Sequence, residues 1–272
     1  MGLRINTNIA ALNTSRVLRG STLALNKSLE RLSSGLRINR AADDAAGLAI
    51  AENFRSQVRG TQVAQRNAQD GISLVQTAEG ALSETTNILQ RIRELAVQAA
   101  NGTQSTENRR ALDSEVRQLL AQIDDIALDT DFNGVRVLSS SQTITLQTGA
   151  KVSQTLNVAV QGAKTGDLGI SKVSISATLL AVSTISTIDR ALQSVSSLRA
   201  DLGAFQNRLE FTISTLAIQE ENSAAAESAI RDADIAKETI KFTRNQILVS
   251  AGTSVLAQAN IVPQTTLQLL GS

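Results

Sequence analysis

The chain contains no histidine, no cysteine, no tryptophan and no tyrosine, and its 272 residues include one proline. Each absence closes off a class of function. Without His or Cys there is no zinc site of the usual nitrogen and sulfur kind, no thiol nucleophile and no Ser-His-Asp relay, so an enzyme built here would have carboxylates and lysines alone to work with. One proline and 16 glycines cannot make a collagen repeat or a polyproline linker. Five phenylalanines are the whole aromatic content, 2% of the chain. Large rings normally supply much of a core's buried area, so slender elements are expected in place of a thick globular core. Neither sign of charge is in excess: 26 Lys and Arg against 25 Asp and Glu leave +1, which points to neither nucleic acid nor an anionic membrane. What is present is a chain 42% hydrophobic and 19% charged, aliphatic enough to fold. Met1 to Ala11 carries one arginine and no long apolar run, so a general secretory signal is not expected. The lack of cysteine suits a reducing cytoplasm and equally an exported protein with nothing to oxidise.

Charge is unevenly laid out. Residues 1–60 carry nine Lys or Arg against four acids, residues 61–136 carry seven against eleven, and Asn245 to Ser272 carry none. Asn245, Gln246, Gln258, Asn260, Gln264 and Gln268 break that last stretch well short of the roughly 20 apolar residues a membrane span requires, so no membrane insertion is expected. A helix without solvating Lys or Glu is instead expected to meet protein on both faces.

Heptad spacing is the clearest structural signal. Val75, Leu82, Leu89 and Ala96 lie seven apart, with Ala78, Thr85, Ile92 and Ala99 three residues after each. Leu112, Val116, Leu119, Ile123 and Ile126 repeat the pattern, and between the two runs Asn101-Gly102 supplies a helix stop with Glu107 in the next helix's first turn. A short connection makes these helices antiparallel neighbours. A third run extends from Ile185 to Ile230, with Gly203 its weak point. Near the start, Leu18, Thr22, Leu25, Leu29, Leu32 and Leu36 keep the spacing; near the end, Ile235, Phe242, Val249 and Leu256 are seven apart, as are Leu248, Val255 and Val262. The two ends therefore read as partner helices. From Asp131 to Leu180 charge thins and glycine recurs, and alternation at 143–147 and 172–176 predicts short strands.

The expected fold class is mainly α: long antiparallel helices forming a rod-like coiled coil or bundle, with a small β-hairpin region in the middle of the chain. A 30-residue helix is about 45 Å long, and so thin a monomer cannot cover its own apolar stripes. Periodicity alone leads to an elongated, self-associating protein.

Four strings carry a resemblance: SSGLRINRAADDAAGLAI (Ser33 to Ile50), LQRIRELAVQAANGT (Leu89 to Thr103), FNGVRVL (Phe132 to Leu138) and AGTSVLAQAN (Ala251 to Asn260). In this order they resemble bacterial flagellin, over roughly residues 1–138 and 185–272, in a minimal form without large outer domains. The resemblance implies a structural subunit, not an enzyme and without cofactor. Such a subunit is exported unfolded through the flagellar secretion channel and self-assembles outside the cell into the hollow helical filament for motility. A flagellin-like hook–filament junction protein is the alternative. By this mapping residues 1–40 and 232–272 form an inner tube as one discontinuous domain, and residues 41–231 a helical rod domain with its β-rich segment at about 131–180. Inner-tube packing falls to Ile5, Ile9, Leu12, Leu25, Leu29, Leu32, Phe242, Leu248, Val249, Val255, Leu256 and Val262. The implied partners are many copies of the same chain, an export chaperone, and the filament cap and hook-junction proteins. The string QRIREL, with Arg91 and Leu95 four apart on one helix and Glu115 brought near by the antiparallel helix, also matches positions that a vertebrate Toll-like receptor recognises in family flagellins.

Other motifs read as structure. Arg37, Arg40, Asp43 and Asp44 lack the glycine cradle of a phosphate site and are expected to build a turn and pair between subunits. Asp124, Asp125, Asp129 and Asp131 lack EF-hand spacing and are expected to sit at a solvated helix end. Ser139 to Ser141 and Thr143 are expected in turns.

Overall fold

The computed structural model describes the backbone of residues 7–270 and the side chains of residues 7–261. Helices α1 (Ile9–Ser34), α2 (Ala45–Ala100), α3 (Thr106–Asp129), α4 (Thr178–Arg231) and α5 (Ile235–Leu270) account for most of it. Between α3 and α4 lie strands β1 (Asp131–Phe132), β2 (Val135–Arg136), β3 (Gln142–Gln147) and β4 (Thr155–Val160). The fold is mainly α with small hairpins in mid-chain. Two compact units form: residues 57–221, and the residues up to 56 with those from 222 on. Their boundaries fall inside α2 and α4, whereas residues 40/41 and 231/232 fall in the two helix connections.

In the unit of residues 57–221, both predicted stripes of α2 are interior: Val75, Ala78, Leu82, Thr85, Leu89, Ile92, Ala96 and Ala99 are at most 1% exposed. The helix stops at Ala100, before Asn101-Gly102, and Ser105 caps α3 by accepting a hydrogen bond from Asn108 N (3.1 Å). Arg109 then reaches back to the carbonyls of Ala99 (2.9 Å) and Asn101 (3.1 Å), satisfying acceptors that the end of α2 leaves open. Helix α4 runs antiparallel to α2. Arg93 pairs with Asp189 (2.7 Å), Arg199 with Glu79 (3.5 Å), and Gln62 bonds Glu220 (2.7 Å). Gly203 does not interrupt α4.

The buried face of α3 is rotated from the one expected. Asp113, Val116, Leu120, Ile123 and Ala127 are interior, while Leu112 and Leu119 pack partly buried against the core. The cause is Asp113, whose carboxylate accepts Ile175 N (2.8 Å) and Ser174 Oγ (2.8 Å) and pairs with Arg117 (2.9 Å). The same bonds correct the strand expected at 172–176. The Ile175 N–H of that segment is spent on Asp113 instead of on a ladder, and the segment is irregular. The partner of β3 is β4, antiparallel, with Ile144 opposite Val158 and Leu146 opposite Leu156. This hairpin lies close on α2: Asn67 Nδ2 donates to Gln147 O (3.0 Å), and a Cβ at Gly71 would run into Leu146. The β1–β2 turn is made by Asn133 (φ 51°) and Gly134 (φ 79°), the pair of positive φ angles a tight hairpin turn requires.

Burial pushes the Asp113 carboxyl up, but the Ile175 N–H, the Ser174 hydroxyl and Arg117 outweigh it and hold it below its ordinary value. A depressed carboxyl stabilises the fold at neutral pH, and that contribution is lost as pH falls through and below the usual carboxylate range. Asp113→Ala strands the buried Ile175 N–H and is expected to cost about 1–3 kcal/mol in urea unfolding at pH 7, with the gap to the parent closing on acidification. An unchanged urea midpoint at pH 7 would show that the clamp contributes nothing.

Candidate functional site

In the unit that holds the chain ends, α1 packs along α5. The pair is antiparallel. Asn8 Nδ2 donates to Ala259 O (2.8 Å), Leu18 lies over Gly252, and Ser28 Oγ donates to Glu238 Oε1 (2.8 Å). A Cβ at Gly252 would come within 3.1 Å of Leu18 Cδ1, so the glycine allows this approach without a shift of that side chain. Apart from Glu30 and Arg31 near its end, the residues of α1 with reduced exposure are Ala11, Thr14, Leu18, Ser21, Leu25, Ser28 and Leu32; on α5 they are Glu238, Phe242, Asn245, Val249, Gly252, Leu256 and Ala259. Both sets follow alternating spacings of three and four, a coiled-coil seam.

The helix connections are tied to one another. Gly35 ends α1 in the left-handed region (φ 70°), Leu36 bridges Asp232, Arg37 N donates to Arg231 O (2.7 Å), and Ala233 N donates to Gly35 O (2.9 Å). The charged residues of this turn act within it. The Arg37 guanidinium donates to Ile230 O, Arg40 pairs with Glu30 (2.9 Å), Lys27 pairs with Asp43 (2.7 Å), and Asp44 Oδ1 accepts Gly47 N (2.8 Å) at the start of α2. The Lys27 hydrogen bond, against some desolvation and with the N–H groups of Arg40 and Asn39, lowers the Asp43 pKa to about 2.

The expected packing residues divide into two faces. Leu25, Leu32, Phe242, Val249 and Leu256 are half-buried in the seam. Ile9, Leu12, Leu29, Leu248 and Val255 face outward, 47–64% exposed, joined by Val17, Leu23, Ile240, Ile247 and Ile261. Ile5 and the side chain of Val262 lie outside the described residues. Among the described side chains only Ser28 of α1 and Glu238 of α5 are fully buried, so the pair leaves most of its apolar surface open. Part of it forms a shallow groove of about 740 Å³ along α5, lined by Ile240, Ile247 and Leu248 among others.

Sequence periodicity missed the Ser28–Glu238 contact, because it counts apolar residues and these are polar. Glu238 Oε2 also pairs with Lys241 (3.0 Å), and Arg31 stands at 3.8 Å. Burial pushes this carboxyl up, yet Ser28, Lys241 and Arg31 together hold it below its ordinary value.

In the other unit, Arg91 bonds Glu115 through Nη2 (2.9 Å) and Nε (3.1 Å), and Glu94 through Nη1 (3.2 Å), on the surface. Glu115 and then Glu94 hold the guanidinium above its ordinary value. Leu95 does not share that face; it belongs to the interior stripe of α2 and is 1% exposed. Asp124 is not a solvated end either, since it accepts both Thr165 N and Thr165 Oγ1 at 2.8 Å. Among the described residues no cluster of acids has the geometry to hold a metal ion, and no helix is long and apolar enough to cross a membrane.

Comparison with known proteins places this arrangement. Residues 5–143 match the bacterial flagellin N-terminal helical region, and residues 185–270 match the bacterial flagellin C-terminal helical region. The chain is 48% identical to the flagellar filament 31.3 kDa core protein of Treponema maltophilum, over 98% of this chain and 99% of that one. It is 46% identical to the flagellin of Bacillus subtilis, over 98% and 100%. The crystal structure of Bacillus cereus flagellin is similar over 60% of this chain and 94% of that one, with 34% identity and a TM-score of 0.48. With both terminal helical regions matched and near-half identity along its length, the chain belongs to the bacterial flagellin family.

Proposed function

We propose that this chain is a structural subunit that self-assembles into the hollow helical filament of the bacterial flagellum. The observation that carries the reading is the open apolar surface of α1 and α5, helices that a relative named as a filament core protein matches along nearly its whole length. Residues 1–40 and 232–272 then form the inner tube, where neighbouring copies cover Ile9, Leu12, Leu29, Leu248 and Val255, and residues 41–231 form the outer part. The uncharged tail from Asn245 onward fits packing between copies. The hook–filament junction alternative is less favoured, because relatives at near-half identity carry filament and flagellin names. Arg91 and Glu115 are open to a receptor in the free subunit, whereas Leu95 is not, so recognition by a vertebrate Toll-like receptor rests on the two charged groups. Export through the flagellar channel, with a chaperone, and growth beneath a cap complete the proposal.

Burial of an apolar face supplies most of a helix's stability, and α1 and α5 receive little from their own chain. Their ordering is therefore coupled to incorporation, its entropy cost offset by burial worth about 25 cal/mol per Å² of apolar surface. In dilute free subunit, amides of residues 9–34 and 235–270 are expected to exchange with deuterium freely and to become protected in the polymer; full protection in the free chain would refute coupled ordering. Deleting the last twenty residues should leave a soluble, partly helical chain that does not grow from filament seeds, and hollow fibres from that chain by negative-stain microscopy would refute the inner-tube role. Leu248→Glu combined with Val255→Glu, which leaves the seam residues untouched, should abolish pelleting. Growth of this double variant at the parent's rate would mean that no neighbour covers that face.

A further inference from the structure

Two Asn-Gly pairs occur in the sequence, Asn101-Gly102 and Asn133-Gly134. Asparagine is a thermolabile residue, and most so before glycine, where no Cβ shields the next backbone nitrogen from the side-chain amide carbon. Both pairs are exposed, in turns of the unit of residues 57–221. What differs is the state of the nitrogen that would attack. Gly134 N donates to Asp131 Oδ2 (3.0 Å), and the β1–β2 turn holds Asn133 at φ 51°. Gly102 N donates to no group among the described residues, while Thr103 N donates to Asn101 Oδ1 (3.2 Å).

We propose that Asn101 is a site of spontaneous modification in the folded chain, converting to aspartate and isoaspartate, and that Asp131 protects Asn133 from the same reaction. Gly102 N attacks Asn101 Cγ, and the new N–C bond closes a five-membered succinimide ring. The side-chain nitrogen leaves as ammonia, carrying the proton that Gly102 N gives up. Water then opens the ring at either carbonyl, giving aspartate one way and isoaspartate the other; nothing is oxidised or reduced. The Thr103 N–H is aimed at the oxygen on which negative charge develops during the attack, the arrangement that stabilises an oxyanion. At Asn133 the attacking nitrogen would have to give up a proton bonded to a carboxylate, and the turn would have to open before that nitrogen could face Cγ. The products change the α2–α3 connection. Aspartate puts a negative charge at the carbonyl end of α2, where the helix dipole opposes it. In isoaspartate the former Asn101 carbonyl becomes the free carboxylate, and that oxygen already accepts from Arg109 Nη2 (3.1 Å), so its charge meets a guanidinium in place. The reaction needs no partner and is independent of the filament reading.

The test incubates the free full-length chain in warm, mildly alkaline buffer, folded and in guanidinium. Both Asn-Gly peptides are followed by mass spectrometry, with isoaspartyl methyltransferase labelling to detect isoaspartate. In the folded chain, conversion at Asn101 should exceed that at Asn133 by about tenfold or more, the factor that one charge-assisted hydrogen bond to the nucleophile implies. In guanidinium the two sites should convert at comparable rates, because the turns are gone. Gly102→Ala, whose Cβ meets no atom within 4 Å and which needs no positive φ, should keep the fold and lose conversion at Asn101. Asp131→Ala should raise conversion at Asn133 and leave Asn101 unchanged; Asp131→Asn, which keeps an acceptor without the charge, should raise it less. Equal conversion at the two sites of the folded chain overturns the proposal, and so does conversion at neither. An Asn133 no faster in Asp131→Ala than in the parent overturns the protective role of Asp131.

Discussion

Two helices side by side can bury one stripe each, and that geometric limit governs the terminal half of this protein. Helices α1 and α5 are apolar over more than one stripe, so closing one seam leaves the remainder in water. The unit of residues 57–221 does not face this limit. There α2, α3, α4 and the β3–β4 hairpin surround a common interior, and Leu82, Leu89, Ile123, Ile188 and Val195 are fully enclosed. One part of the chain thus completes itself, while the other has surface that only further protein can cover.

Much of this was legible in the sequence, to different depths. The stripes of α2 and the stop at Asn101-Gly102 could be read residue by residue, because a helix enclosed on a whole face prints its period cleanly. The pairing of the chain ends was legible as well, with Leu18, Leu25 and Leu32 in the seam as the spacing predicts, but Ser21 and Ser28 take the places expected of Thr22 and Leu29. On α3, Val116 and Ile123 are interior as the spacing predicts, while Asp113, Leu120 and Ala127 take the places expected of Leu112, Leu119 and Ile126, with Asp113 bonded inward to the Ile175 N–H. In the β region 143–147 was recognisable as a strand, while 172–176 alternates without pairing, because alternation reports which side chains turn inward and not where the backbone N–H groups go. Leu95 shows the limit of face arguments based on i and i+4 spacing: four residues turn a helix by about 400°, leaving a 40° offset, enough here to separate a surface arginine from a buried leucine.

The scarcity of aromatic and sulfur side chains is consistent with this division of labour. A seam that brings Leu18 onto Gly252 and an asparagine side chain onto the backbone of Ala259 has room for leucine, serine and glycine and little room for indole. Of the five phenylalanines, Phe242 alone enters that seam, and Phe205 packs against the core of the other unit. Thin seams bury little area per residue, so a helix pair held by one remains marginal on its own. That marginality is what an assembling subunit needs, because helices already stable in isolation would gain less from a neighbour, and the driving force for growth is that gain.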